Sequence, residues 1–146
     1  MIALAQRVSQ ASVEFDGAVV GAIDHGLLVL MCAEPADGEA QAARLVDKLL
    51  KLRIFGDEAG KMNRSVVDVR GGLLIVSQFT LAADLSGGNR PSFTAAAPAE
   101  LGRQLYERVL ALAREKHAPV AAGIFGAHMR VSLVNDGPVT IPLRIL

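Results

Sequence analysis

Leu73-Leu74-Ile75-Val76-Ser77-Gln78-Phe79-Thr80-Leu81 decides how this chain folds: an apolar run closes on a short polar block. A strand without polar alternation is buried on both faces, so residues 73–81 read as a central strand. Its end exposes amide and hydroxyl groups beside main-chain N–H and C=O. A second stretch is built the same way. Val131-Ser132-Leu133-Val134 and Ile141-Pro142-Leu143 flank Asn135-Asp136-Gly137-Pro138-Val139-Thr140, where a Gly-Pro step governs the direction of the carbonyls. The two blocks together point to a site made largely of main chain. Few chemistries need one, and discrimination by handedness is among them.

Outward from these blocks, strands and helices alternate. Residues 2–8 and 10–15 read as strands, and Asp16-Gly17 is a hairpin turn into residues 18–23. His25-Gly26 is a further turn, followed by the apolar strand 27–33, covered on both faces. From Glu39 to about Arg53, Ala42, Leu45, Val46, Leu49 and Leu50 recur at helical spacing, with Arg44, Asp47, Lys48 and Lys51 opposite. Residues 56–63 read as a loop, 65–69 as a short strand, Gly71-Gly72 as a turn and 83–94 as a Gly-rich loop. A second helix starts near Pro98, which fits the first helical position, and Glu100 suits the positive end of the helix dipole. Leu101, Leu105, Val109 and Leu112 form its apolar stripe, and Pro119 prevents its continuation. The segment from there to Met129 reads equally as strand or loop. Residues 129–134 and 139–145 are strands around the second block. Without repeat, linker or low-complexity tract, residues 1–146 read as one α/β domain.

A chain of 146 residues is near the commonest domain size. The core is aliphatic, with five Phe, one Tyr and no Trp. Fifteen basic residues balance fifteen acidic ones, which argues against a protein that wraps DNA or RNA along its length. Contact with a short piece of RNA remains open. The one cysteine, Cys32, can build neither a disulfide framework nor a zinc cluster, which fits a reducing cytoplasm. Gln6 and Arg7 end the first apolar run too early for a secretory signal, and no run is long enough to span a membrane.

The usual catalytic equipment is sparse. His25, His117 and His128 lack metal-ligand spacing and read as turn, helix-end or surface histidines. Cys32 reads as inert packing. No Walker loop, dinucleotide fingerprint or zinc-protease helix is present, and no metal or cofactor is expected. Thr80 is the candidate nucleophile, yet no base accompanies it in sequence. Main-chain N–H groups of residues 78–80 are candidates for an oxyanion hole. A cis Gly137-Pro138 bond would aim two neighbouring carbonyls the same way, as a rigid acceptor pair for an α-amino group. Such a pair leaves no room for a side chain of the wrong hand.

Both blocks resemble the signature pair of the D-aminoacyl-tRNA deacylases, the D-tyrosyl-tRNA deacylase family. Weaker likenesses extend through the chain: Gln6-Arg7-Val8, Arg53-Ile54-Phe55, Gly60-Lys61-Met62-Asn63, Arg90-Pro91-Ser92-Phe93 and Met129. The resemblance implies a layered β/β/α domain with mostly antiparallel strands and two main helices. It implies a cytoplasmic homodimer that hydrolyses the ester joining a D-amino acid, or glycine, to the 3′ acceptor end of tRNA, a chiral proofreading step. It further implies that Ser77, Gln78, Phe79 and Thr80 line the catalytic pocket. Gly137 and Pro138, with Asn135 and Val139, would enter from the partner subunit, held by Arg7. Met129 and Phe125 are further pocket candidates. Either Thr80 or the terminal ribose 2′-OH of the RNA would drive the chemistry, and the missing base favours the second.

Family members often carry a basic residue where this chain has Ile124, and Leu85-Ser86-Gly87-Gly88-Asn89 holds no cation. Lys61, Arg64, Arg90 and Arg130 are the remaining candidate RNA contacts. Two other readings compete with the hydrolase: a non-catalytic RNA- or protein-binding dimer of the same fold, and a small esterase that uses Thr80.

Overall fold

A computed structural model describes residues 1–146. β1 (Ile2–Phe15) and β2 (Ala18–Ile23) form the expected hairpin, and its turn residues Asp16 and Gly17 take φ of 52° and 79°. β3 (Gly26–Cys32) and α1 (Glu39–Lys51) follow, then the short pair β4 (Phe55–Gly56) and β5 (Met62–Arg64). β6 (Gly72–Ser77) leads through a 3-10 turn (Phe79–Ala82) to α2 (Ala99–Lys116), β7 (Val120–Ala122) and β8 (Arg130–Arg144).

β1 organises the sheet. It pairs antiparallel with β8 along nearly its whole length, with β3 through residues 2–8 and with β2 through residues 11–15. β3, β6 and β7 are parallel neighbours, so each connection between them crosses over through a helix, α1 and then α2. The fold is α/β with two helices, and antiparallel pairing predominates. β2 folds back towards β7, where a Cβ at Gly21 would collide with the Ala122 carbonyl oxygen. Only glycine permits that approach.

The apolar runs of β3 and β6 alternate between two cores. Leu27, Val29, Met31, Leu73 and Ile75 face α1 and α2, in a cluster that includes Leu45, Leu49, Leu105 and Val109. Leu28, Leu74 and Val76 face the other way, against Val8, Ala11, Val13 and Ile23. That accounts for strands without polar alternation: both faces are dry. Each fully buried leucine here contributes roughly 1.5–3 kcal/mol. On α2 the buried stripe takes in Tyr106 and Leu110 beside Leu105, Val109 and Leu112, while Leu101 is only partly covered, and Pro98 is the N-cap rather than the first helical residue. The Tyr106 hydroxyl donates to the Ile75 carbonyl at 2.8 Å, and burial pushes its pKa up to about 12.

Several elements depart from the sequence expectations. Residues 2–15 are one strand, with register irregularities at Arg7 and Ser9 in place of a break. Residues 65–69 are not a strand. The Asp68 carboxylate accepts from the Ser65 N–H at 2.8 Å and the Ser65 hydroxyl accepts from the Asp68 N–H at 3.1 Å, which holds a turn. The expected loop 56–63 is the turn and inner ends of the β4–β5 pair, folded over Asp57, whose carboxylate accepts from Ala59 and Lys61 N–H groups. β6 ends at Ser77 instead of 81, and the segment after Pro119 supplies β7. β8 is one strand from Arg130 to Arg144 instead of two, and within the second block residues 136–139 leave the pairing with β1.

Candidate active site

The carboxyl ends of β3 and β6 open onto a cavity of about 550 Å³. In open α/β sheets this end gathers ligands, because the crossovers leave a crevice there. Met31 and Cys32 come from β3, and Val76, Ser77, Gln78 and Phe79 from the end of β6 and the 3-10 turn. Phe93 and Ala97 close one side, Gly102 of α2 forms the floor, and the segment Phe125–Met129 forms the far wall.

The polar block is bent by its own backbone bonds. Gln78 N–H donates to the Met31 carbonyl at 2.7 Å, and Leu81 N–H donates back to the Gln78 carbonyl at 3.2 Å. The first N–H groups of the resulting turn, on Phe79 and Thr80, lack intrahelical acceptors. Gln78 N–H is therefore committed to the sheet, and of the three candidate donors the two on Phe79 and Thr80 are left. Phe79 is 57% exposed, with its ring edge-on to Phe93 at 5.0 Å. Thr80 does not line the cavity, and its hydroxyl accepts from the Gln78 side-chain amide.

Cys32 and His128 are the titratable side chains on the cavity wall. The sequence assigns Cys32 to inert packing and His128 to a turn, helix end or the surface, and the fold brings both to this wall. Burial, then the charge of Glu34, pushes the Cys32 thiol above its ordinary range, so it stays protonated and unreactive at neutral pH. Phe125 packs against Tyr106 at 6.0 Å and lies under the Arg103 guanidinium, 4.9 Å from the ring centre. Met129 accepts the Ile124 N–H on its sulfur at 3.3 Å, which fixes the wall. No three His, Cys, Asp or Glu side chains are grouped to hold a metal ion.

The second block projects from the sheet. Gln6 pairs with Thr140 and Val8 with Asn135, so residues 136–139 stand opposite Arg7 alone. Arg7 holds this excursion with a fork: Nε donates to the Asp136 carbonyl at 2.9 Å and Nη1 to the Ile54 carbonyl at 2.7 Å. Asn135 closes its base, accepting the Val139 N–H at 2.9 Å and donating to the Thr140 hydroxyl at 2.8 Å. Val139 is buried, whereas Gly137 and Pro138 are exposed at the tip and joined by a cis peptide bond. Gly137 takes φ 141°, and a Cβ there would lie 2.8 Å from Val139 Cγ2 and 3.1 Å from Arg7 Nη2.

Within one protomer the two blocks do not meet. Arg7 pairs with Leu27, whereas the cavity lies at the Met31–Cys32 end of the same strand. The intervening four residues span about 13 Å of sheet. Of the expected site residues, Ser77, Gln78, Phe79, Phe125 and Met129 share the cavity. Arg7, Asn135, Gly137, Pro138 and Val139 form a separate cluster around a turn of which Gly137 and Pro138 are the exposed tip.

A crossover sheet with a mostly apolar crevice at its carboxyl end and a clamped Gly-Pro turn defines a small α/β fold of a particular kind. Among solved structures it is similar to "c-Myc DNA Unwinding Element Binding Protein", with a TM-score of 0.93 and 41% identity over 99% of this chain and 98% of that one. A second, "Structural Analysis of a probable eukaryotic D-amino acid tRNA deacylase", shares the fold at a TM-score of 0.84 and 16% identity, covering 97% of each. The D-aminoacyl-tRNA deacylase of Methylibium petroleiphilum is 72% identical over 99% of this chain and 95% of its own length. That of Azoarcus sp. is 66% identical over 99% and 96%. Residues 4–144 match the family described as D-Tyr-tRNA(Tyr) deacylase, and the chain belongs to that family.

Proposed function

We propose that this chain hydrolyses the ester between a D-amino acid, or glycine, and the terminal ribose of tRNA, as a homodimer with composite active sites. The observation that carries this is the separation of the exposed, clamped Gly137–Pro138 turn from the cavity at the end of β6, in a chain of this family. A second copy supplies the turn to each cavity. β8 favours such a partner: it pairs only with β1, leaving an open edge, and Val131, Leu133 and Val134 are exposed along it.

In the composite site the turn's carbonyls accept hydrogen bonds from the substrate's α-ammonium. A D side chain, or the hydrogen of glycine, points away from the turn, and an L side chain collides with it. Water adds to the ester carbonyl, and the Phe79 N–H group, on the cavity lining, takes up the charge that develops on its oxygen. The bond to the ribose oxygen then breaks, that oxygen takes a proton, and free amino acid and tRNA leave. The neighbouring ribose 2′-OH relays the proton. Thr80 does not, because it lies off the cavity lining, where its hydroxyl accepts from the Gln78 amide. A cytoplasmic site of action follows from the substrate, and no helix of the chain is long and apolar enough to cross a membrane.

The test is complementation. Gly137→Ala removes a functional turn and Phe79→Ala alters the pocket, so each homodimer is expected to lose hydrolysis of D-Tyr-tRNA. Mixing and reassorting the two variants should restore about a quarter of wild-type sites, because half the dimers pair one intact turn with one intact pocket. No recovery on mixing, with heterodimer formation verified, would rule out a shared site. The 41%-identical structure, named for binding a DNA element, favours a second reading, a non-catalytic nucleic-acid-binding dimer. That reading requires wild-type protein to bind D-Tyr-tRNA and leave its ester intact.

A further inference from the structure

The chain has no net charge, yet one shallow groove of about 480 Å³ gathers Arg44, Lys48, Lys51, Arg53 and Arg144 around a single carboxylate side chain, Asp47. Arg44, Lys48 and Lys51 stand at i, i+4 and i+7 on one face of α1, all exposed. Like charges at that spacing repel and weaken a helix. The helix dipole explains Lys48 and Lys51 in the last turn. It does not explain Arg44, nor Arg53 and Arg144, which other elements bring to the same place. Asp47 is taken by Lys116 at 2.8 Å on the α2 side, and Lys48 and Lys51 enter no ion pair. Arg144 is paired with Glu34, and the terminal residue Leu146 also borders the groove, but Arg44, Lys48, Lys51 and Arg53 have no carboxylate partner, so the groove keeps a net positive charge.

Its position gives that charge a use. Arg53 lies on the groove, and the next residue, Ile54, accepts the Arg7 hydrogen bond that clamps the Gly137–Pro138 turn. Groove and turn are thus joined through one backbone segment. The loops expected to meet RNA near the cavity are meanwhile poor in cations, with Ile124 on one side and residues 85–89 on the other. We propose that this groove binds phosphates of the acceptor stem of the tRNA whose 3′ end occupies the neighbouring protomer's cavity. The copy that supplies the turn thereby also carries the RNA body. This rests on the reading of the chain as a dimeric tRNA hydrolase.

The experiment compares wild type with Arg44→Glu/Lys48→Glu/Lys51→Glu on two substrates, D-Tyr-tRNA and 3′-(D-tyrosyl)adenosine, over a range of salt concentrations. Reversal is expected to raise KM for D-Tyr-tRNA about tenfold or more at low salt. It should also flatten the salt dependence of log KM by about one for each phosphate that is no longer neutralised. Turnover of 3′-(D-tyrosyl)adenosine should stay at the wild-type value, which also reports intact folding; if it falls, Lys48→Gln/Lys51→Gln is read the same way, with a smaller shift. An unchanged KM and salt slope for D-Tyr-tRNA would overturn the proposal. Equal losses on both substrates with the Gln variant would overturn it too, because the groove would then act on folding or chemistry. Binding of uncharged tRNA by fluorescence anisotropy distinguishes failure of the groove from failure of the hydrolase. Should wild type hydrolyse neither ester, charge-reversal loss of tRNA binding would keep the groove and discard the hydrolase.

Discussion

Gly137 is where the chemistry of one residue matters most. Its φ of 141° and the 2.8 Å approach of Val139 leave no room for a side chain. Gly137→Ala stores strain of order 1–3 kcal/mol unless the turn moves. Movement is the easier outcome, since the tip is exposed. We expect at least about a tenfold loss of D-Tyr-tRNA hydrolysis, equivalent to about 1.4 kcal/mol of barrier, with little change in unfolding midpoint. Steady-state kinetics beside a denaturation curve check both halves. Thr80 gives the opposite expectation. Its hydroxyl meets the Gln78 amide and no base, so Thr80→Ala should alter turnover by less than about tenfold. A D-Tyr-tRNA with a 2′-deoxy terminal adenosine should instead resist hydrolysis. A dead Thr80→Ala enzyme would restore the esterase reading.

The helices and strands make their own predictions. α2 docks on β6 through Tyr106, whose phenol is buried and held neutral, its pKa raised from 10.0 to about 12. A raised folded pKa means that this stability is fully present below pH 10 and is lost as pH climbs towards 12, because the unfolded chain ionises first. The loss amounts to about 2–3 kcal/mol. Urea unfolding at about pH 9 and about pH 11.5, on either side of the ordinary phenol range, should show it, and Tyr106→Phe should be flatter over the same interval. How legible such elements were depended on what terminates them. α1, the Asp16-Gly17 hairpin and the dry strands β3 and β6 were plain, because helical spacing, turn chemistry and unbroken apolar runs are local signals. Residues 65–69 misled because Ser65 and Asp68 bond each other's backbone, which residue type alone does not announce. The 3-10 turn after Ser77 was hidden since Gln78 bends only by bonding Met31, distant in sequence. For the site, the strand-end block and the Gly-Pro turn were visible as composition breaks. His128 and Cys32 on the cavity wall were not, because only the tertiary fold brings them there.

The two cores share β3 and β6, so a hole in one strand is felt on both sides. Leu74 is fully buried in the smaller core between β1, β2 and the central strands. Leu74→Ala should cost about 2–5 kcal/mol by chemical denaturation, and a cost below about 1 kcal/mol would mean the smaller core is loosely packed. Val139 joins the larger, helix-facing core although its neighbour Pro138 faces solvent. The Gly137–Pro138 turn, to which selectivity is assigned in the proposed function, is therefore anchored by ordinary hydrocarbon packing. Substitutions that loosen the aliphatic interior around Val139, or warming short of the melting point, should blur stereochemical accuracy while much of the hydrolytic rate survives. Errors in handedness would then be an early symptom of a fragile protein, detectable as leakage towards L-esters before any unfolding signal.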